Sequence, residues 1–131
     1  MPRTAGIYVV LREEKGPPTF LTTNPGGQFK GKDPTMDPTV LEAKWVEDAH
    51  VLYIGLGSVL RNRLRQFARF GAGAPVGHWG GRYLWQLQGA MDFLVAWRET
   101  PEAPPREEEL ALLARFRELH GGRAPFANIA G

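Results

Sequence analysis

The chain has 131 residues, enough for one domain around one hydrophobic core and too few for two ordinary domains. With 43% hydrophobic and 23% charged residues it falls among ordinary globular proteins, which excludes a disordered or fibrous chain. The absence of cysteine excludes disulfides, thiolate zinc centres and cysteine nucleophiles.

No apolar run approaches the ~18 residues that a membrane-spanning helix needs. The opening Met1-Pro2-Arg3-Thr4-Ala5 passes straight into a strand-like run without a leader pattern, so a cytoplasmic protein with no membrane contact is expected. The three histidines, His50, His78 and His120, include no pair at helical ligand spacing. Any metal would therefore be held mainly by carboxylate and water, which favours magnesium or manganese. The formal net charge of +2 says little, but its distribution says more. No acidic residue occurs between Asp48 and Asp92, whereas Arg61, Arg63, Arg65, Arg69 and Arg82 all do. Such segregation is the footprint of phosphate binding; an arginine-rich solvated helix face is the plainer alternative.

In chain order, residues 5–11 (AGIYVVL) are short, β-branched and bounded by charge, and predict a strand. A long connection follows, punctuated by Gly16-Pro17-Pro18, Asn24-Pro25-Gly26-Gly27 and Asp33-Pro34, with a short strand expected over residues 19–23. Asp37-Pro38 reads as an N-cap and first helical position, with Leu41 and Trp45 four residues apart on the helix it opens. Residues 50–56 (HVLYIGL) predict the second core strand, and Ser58 the cap of a helix running to about Phe70. Residues 71–81 are a glycine-rich loop holding His78, 82–88 a short helix and 92–99 a third strand. A rigid linker over 101–105 leads into a last helix that ends before Gly121-Gly122. The expected fold is α+β: a small, mainly antiparallel three-stranded central sheet flanked by helices in a sandwich-like arrangement, as one domain spanning residues 1–131.

Two tripeptides stand out within the strands, Gly6-Ile7-Tyr8 and Tyr53-Ile54-Gly55. Strand alternation puts Tyr8 on one face with Gly6 and Val10, and Tyr53 on one face with Val51 and Gly55. If the strands pair, both phenols can meet on one side of the sheet. On the following helix, at roughly 100° per residue, Leu60, Leu64 and Phe67 form the buried stripe. Arg63 lies at its edge, and Arg61, Arg65 and Arg69 line the opposite face. An arginine beside the core is held well enough to aim its guanidinium fork at one phosphate. On the last helix the stripe is Leu112, Leu113, Phe116 and Leu119. Glu109 points with it, Glu108 sits at its border and Glu107 faces away. Three glutamates in a first turn also complement the helix dipole.

With these features the chain resembles the GIY-YIG nuclease family, from Gly6 to Asn128 except for an insert of about residues 12–49. Leu60-Arg61-Asn62-Arg63-Leu64 matches the helix pattern that carries the family's catalytic arginine, so the resemblance gives that role to Arg63. It gives the metal-ligating glutamate to Glu109, in Glu109-Leu110-Ala111-Leu112-Leu113. Pro125-Phe126-Ala127-Asn128 resembles the family's terminal P-x-x-N, whose asparagine supports the active-site backbone; a plain turn is the other reading of Asn128. A second, loop histidine found in some members matches His78, which otherwise reads as a turn histidine packed on Trp79. Three features depart from the family pattern. Phe67 stands where a histidine is frequent, Leu56 where a lysine is frequent, and the connection between the tripeptides is long, as functional loops often are.

The resemblance implies an endonuclease that hydrolyses phosphodiesters in DNA with magnesium or manganese. Tyr8 would help deprotonate the attacking water, with Tyr53 sharing or positioning it. Arg63 would clamp a phosphate oxygen, and the metal on Glu109 would stabilise charge on the leaving oxygen. A free phenol titrates near ~10, so the tyrosine must be made more acidic, and Arg63 and the metal are expected to do so. Arg61, Arg65, Arg69 and Arg82 are candidate backbone contacts. No separate reading head is visible, so branched or single-stranded DNA is a candidate substrate, and a homodimer is an open option. Two other classes remain: a catalytically silent nucleic-acid-binding module of the same fold, and a protein-interaction domain that uses the aromatics of the loop and the insert.

Overall fold

A computed structural model describes residues 3–13, 16–25, 33–71 and 82–128. The apolar first run forms the central strand β1 (Gly6–Leu11). On one side it pairs antiparallel with β2 (Val51–Gly57), on the other with β3 (Leu94–Glu99), giving the order β2-β1-β3. The fold is therefore α+β, with a three-stranded antiparallel sheet and helices on both faces.

Register fixes which side chains share a face. Tyr8 lies opposite Gly55 and Trp97, and Val10 opposite Tyr53 and Val95, so these residues occupy one face. Ile7, Val9, Ile54, Leu56, Ala96 and Arg98 occupy the other. A register shift beside Val10 leaves Leu52 as an extra residue next to Tyr53, a β-bulge of the kind that re-aims a strand. Helix α2 (Leu60–Gly71) covers the tyrosine face, where Leu60 and Phe67 join Tyr8, Val10 and Tyr53 in the main core. Helix α4 (Pro105–Leu119) packs on β1 and β2 from the other side, where Leu112 shares a groove with Ile7 and Val9 and Glu108 reaches Arg98 at 2.6 Å.

The long connection is not loose where it is described. Helix α1 (Pro38–Lys44) starts as expected, with Asp37 accepting from the Thr39 amide, and buries Leu41. Arg123 closes its other end by donating to the carbonyls of Ala43 and Trp45. The connection is stapled to helix α3 (Arg82–Trp85) by Gln86, which is fully buried. Its amide accepts from the Met36 N–H and donates to the carbonyls of Leu21 and Met36, so three backbone groups that would otherwise be buried unpaired are satisfied.

Several boundaries differ from the sequence reading, each for a local reason. The strand expected over 19–23 is reduced to a single Phe20–Leu87 bridge, and that bridge also ends α3 at Trp85 instead of near 88. Helix α2 begins at Leu60, two residues past Ser58, because the Leu60 amide donates to Thr4. Strand β3 begins at Leu94 because residues Ala90–Asp92 form a 3-10 turn. Leu119, expected in the buried stripe, is the last residue of α4 and is 63% exposed where the chain turns away at Gly121 and Gly122. No helix among the described residues is long and apolar enough to cross a membrane.

Candidate functional site

The two phenols meet. Tyr8 and Tyr53 sit diagonally across the β1–β2 ladder on one face, with ring centroids 5.8 Å apart and their hydroxyls hydrogen-bonded. Both are buried, Tyr8 to 1% and Tyr53 to 9% exposure. Gly55 makes the arrangement possible. It lies directly opposite Tyr8, and a Cβ there would come within 2.6 Å of both phenol rings. Gly57 has the same use for the helix, because a Cβ there would stand 2.9 Å from the Cβ of Arg63. The last turn of β2 thus lets α2 close in until Arg63 reaches the phenols.

Arg63 hydrogen-bonds to both tyrosines, and its Nη1 donates to Gln66 Oε1 at 3.2 Å. Gln66 was missed by the sequence reading, although its position one turn after Arg63 was the available signal. Leu64 and Phe67 pack toward the core as expected. Of the other α2 arginines, Arg65 and Arg69 are exposed and Arg61 is half-buried. Arg82 lies elsewhere in character: it is half-buried, with its guanidinium 5.2 Å from the Tyr83 ring centre and its carbonyl taking the Asn24 side chain.

Glu109 is turned inward, at 8% exposure, as its place on the α4 stripe predicts. It lies close enough to Tyr53 for its charge to act on that phenol. Its Oε1 is held at 2.6 Å by Arg106, whose own side chain is 67% exposed. Of the two neighbouring glutamates, Glu108 pairs with Arg98 and Glu107 is exposed. Among the described residues no group of three or more His, Cys, Asp or Glu side chains converges. A hard divalent ion held by one carboxylate, water and substrate oxygens needs no such cluster, so the donor set fits magnesium or manganese at Glu109, with Arg106 as the resident competitor.

Asn128 is no plain turn residue. Its Oδ1 accepts from the Ile54 N–H and its Nδ2 donates to the Ile54 carbonyl, both at 2.9 Å, while the Ala127 amide donates to Leu52. The outer edge of β2 is thereby closed on both sides of Tyr53. His78 falls outside the described residues. Phe67 stacks near Trp85, with centroids 5.0 Å apart, and serves the core.

Electrostatics correct one expectation. Burial pushes the Tyr8 phenol far above its ordinary value, and the adjacent Tyr53 adds to this; Arg63 pulls the other way but loses. Burial also raises Tyr53, against Arg63 and the hydrogen bond from Tyr8, with Glu109 adding to the rise. Arg63 acts in the expected direction, yet desolvation outweighs it, so both phenols are protonated at neutral pH. Below pH ~10 the folded and unfolded chains both keep these protons. Above it only the folded chain does, so stability falls as pH rises. The thermal midpoint should be flat from about pH 8 to about pH 10 and then drop, and Tyr8→Phe should make the drop shallower. Equal slopes for the two proteins in a pH series of thermal melts would refute the coupling.

Comparison with protein-family models, with curated proteins and with solved structures gave no match.

Proposed function

We propose that this protein is a metal-dependent endonuclease of the GIY-YIG type that hydrolyses phosphodiesters in DNA. The observation that carries the reading is the convergence of Tyr8, Tyr53, Arg63 and Glu109, with the phenols and Arg63 on one face of the β1–β2 ladder, braced from outside by Asn128. A core built only for packing has no use for a guanidinium, a carboxylate and two phenols in one cluster, because buried charges are costly unless something repays them.

In this reading Arg63 binds a non-bridging phosphate oxygen and places the phosphorus beside the phenols. Water attacks phosphorus in line as the bond to the leaving oxygen breaks. Its proton passes to Tyr53 as the phenolate, whose own proton has first left to solvent, and the leaving oxygen takes a proton from solvent. Tyr53 is the better acceptor of the two, because the bond from Tyr8 favours its phenolate whereas the same bond disfavours that of Tyr8. Glu109 would hold magnesium or manganese, which would supply positive charge to stabilise the leaving oxygen and make the phenols more acidic. Asn128 keeps the Tyr53 strand from shifting, and the exposed Arg65 and Arg69 contact backbone phosphates without reading sequence.

The test is cleavage of supercoiled plasmid and branched oligonucleotides with magnesium, with manganese and with EDTA. Metal-dependent cutting should fall about 10²- to 10³-fold in Arg63→Ala, the usual loss for one electrostatic donor. Equal cutting by both preparations would mean a contaminant and sink the reading. A silent nucleic-acid-binding module of the same fold is the second reading. It is favoured by the near-complete burial of Tyr8 and by the hold of Arg106 on Glu109, and it predicts a salt-dependent gel shift without cutting.

A further inference from the structure

We infer that Trp97 is a stacking platform for an unpaired nucleobase next to the tyrosine–arginine cluster. The inference rests on the nucleic-acid reading above and adds a substrate feature to it: preference for a single-stranded or flared segment.

Trp97 pairs directly with Tyr8 across the β1–β3 ladder, so strand alternation sets the two on one face, and from the sheet edge Trp97 also borders the groove of Ile7, Val9 and Leu112. The placement is supported from within β3, since Val95, two residues earlier, packs into the core cluster that contains Tyr8. The two aromatics have opposite fates. The Tyr8 ring leans across β1 toward β2, over Gly55, and is 1% exposed. Trp97 is left behind on the edge strand at 48% exposure, and no further strand lies outside β3 among the described residues. A half-exposed indole is a flat apolar surface that gains by being covered, and a nucleobase is the flat partner that a phosphate-binding face brings to it.

Spacing and charge agree. Strands lie about 5 Å apart and Trp97 is two residues along β3 from Val95, the residue in line with Tyr53, so the two stand about 12 Å apart across the sheet. A base belonging to a nucleotide next to the phosphate held by Arg63 is within that reach. The charges near Trp97 are already engaged: Glu99 on the same face accepts from Thr4, and Arg98 on the other face is tied to Glu108. That leaves the arginines of α2 to attract the phosphate chain and Trp97 to take the base. A base inside a duplex has no free face to offer, so the platform separates single strands from double strands.

The experiment measures binding, not cleavage. A labelled oligothymidylate of roughly ten nucleotides and a duplex of the same length are titrated by fluorescence anisotropy in EDTA at low salt. The proteins are wild type, Trp97→Ala and Trp97→Phe, each checked for an unchanged circular dichroism spectrum. Trp97→Ala should weaken single-strand binding about 5- to 150-fold and leave duplex binding within about twofold, and Trp97→Phe should recover most of the loss. Three outcomes overturn the platform while sparing the nucleic-acid reading. They are Trp97→Ala binding as wild type does, equal weakening for both substrates, and Trp97→Phe behaving like the alanine variant. If wild type binds neither substrate, the nucleic-acid reading falls and the platform falls with it. A sedimentation shift to a smaller species in Trp97→Ala, with binding intact, would make this edge a self-association surface instead.

Discussion

Glu109→Ala should reduce metal-dependent cleavage by about a thousandfold, near the upper end of what losing one electrostatic stabiliser costs. It should leave the fold in place, with the thermal midpoint shifted by less than about 5 °C. The two halves of this expectation have separate causes. Glu109 is buried but its bonded partner, Arg106, is mostly solvated, so removing the carboxylate strands no buried cation. Alanine is also the better helix former at a position inside α4. Stability therefore has little to lose, and any activity that depends on a metal-holding carboxylate has nothing to replace it. Glu109→Gln sharpens the result: it keeps size and hydrogen-bonding capacity but removes the charge, and should be nearly as inactive as alanine. Normal cutting by either variant would detach the metal from Glu109. A collapse of the thermal midpoint in both would recast Glu109 as a structural anchor whose bond to Arg106 matters more than its exposure suggests.

What was legible in the sequence was whatever local pattern controls. The two tripeptide strands, the Asp37-Pro38 helix start and the inward turn of Glu109 all follow from period and capping, and the structure shows each of them. The meeting of Tyr8 and Tyr53 needed only one non-local assumption, that β1 pairs with β2. What was hidden was set by distant partners. Nothing near Gln86 indicates that it will bind Leu21 and Met36, and nothing near Asn128 indicates Ile54 without the resemblance to guide it. The early end of α3 likewise depends on Phe20, more than sixty residues away. The phenol shifts were hidden for a further reason. Sequence can place Arg63 beside the tyrosines, but the balance between its charge and desolvation depends on how completely the pair is buried. Trp97 was passed over because an aromatic residue in a strand is ordinarily core, and only the sheet order reveals that its strand is an edge.

Gly55→Ala should cost about 1–3 kcal/mol of stability, the range for forcing extra volume into a packed core. It should also remove more activity than that loss explains, because the added methyl strikes the site itself. A Cβ at this position stands 2.6 Å from both rings and 2.7 Å from the Tyr8 hydroxyl, too close for either phenol to stay where it is. The rings cannot simply rotate aside. Tyr8 is enclosed by the core, and Tyr53 is held by a strand that Asn128 pins from behind. The displacement must therefore reach the hydrogen bonds that join both tyrosines to Arg63. A double-mutant cycle separates this from a general loss of strand stability. In a Tyr8→Ala background one of the two clashes is gone and the Tyr53 ring gains space to move into, so the penalty should shrink, with a coupling of about 0.5–3 kcal/mol in denaturant unfolding. Additive penalties would show that Gly55 serves the backbone of β2 alone. A positive coupling would instead assign it to the phenol pair, and would explain why a glycine sits in the middle of a strand, where it otherwise weakens the sheet.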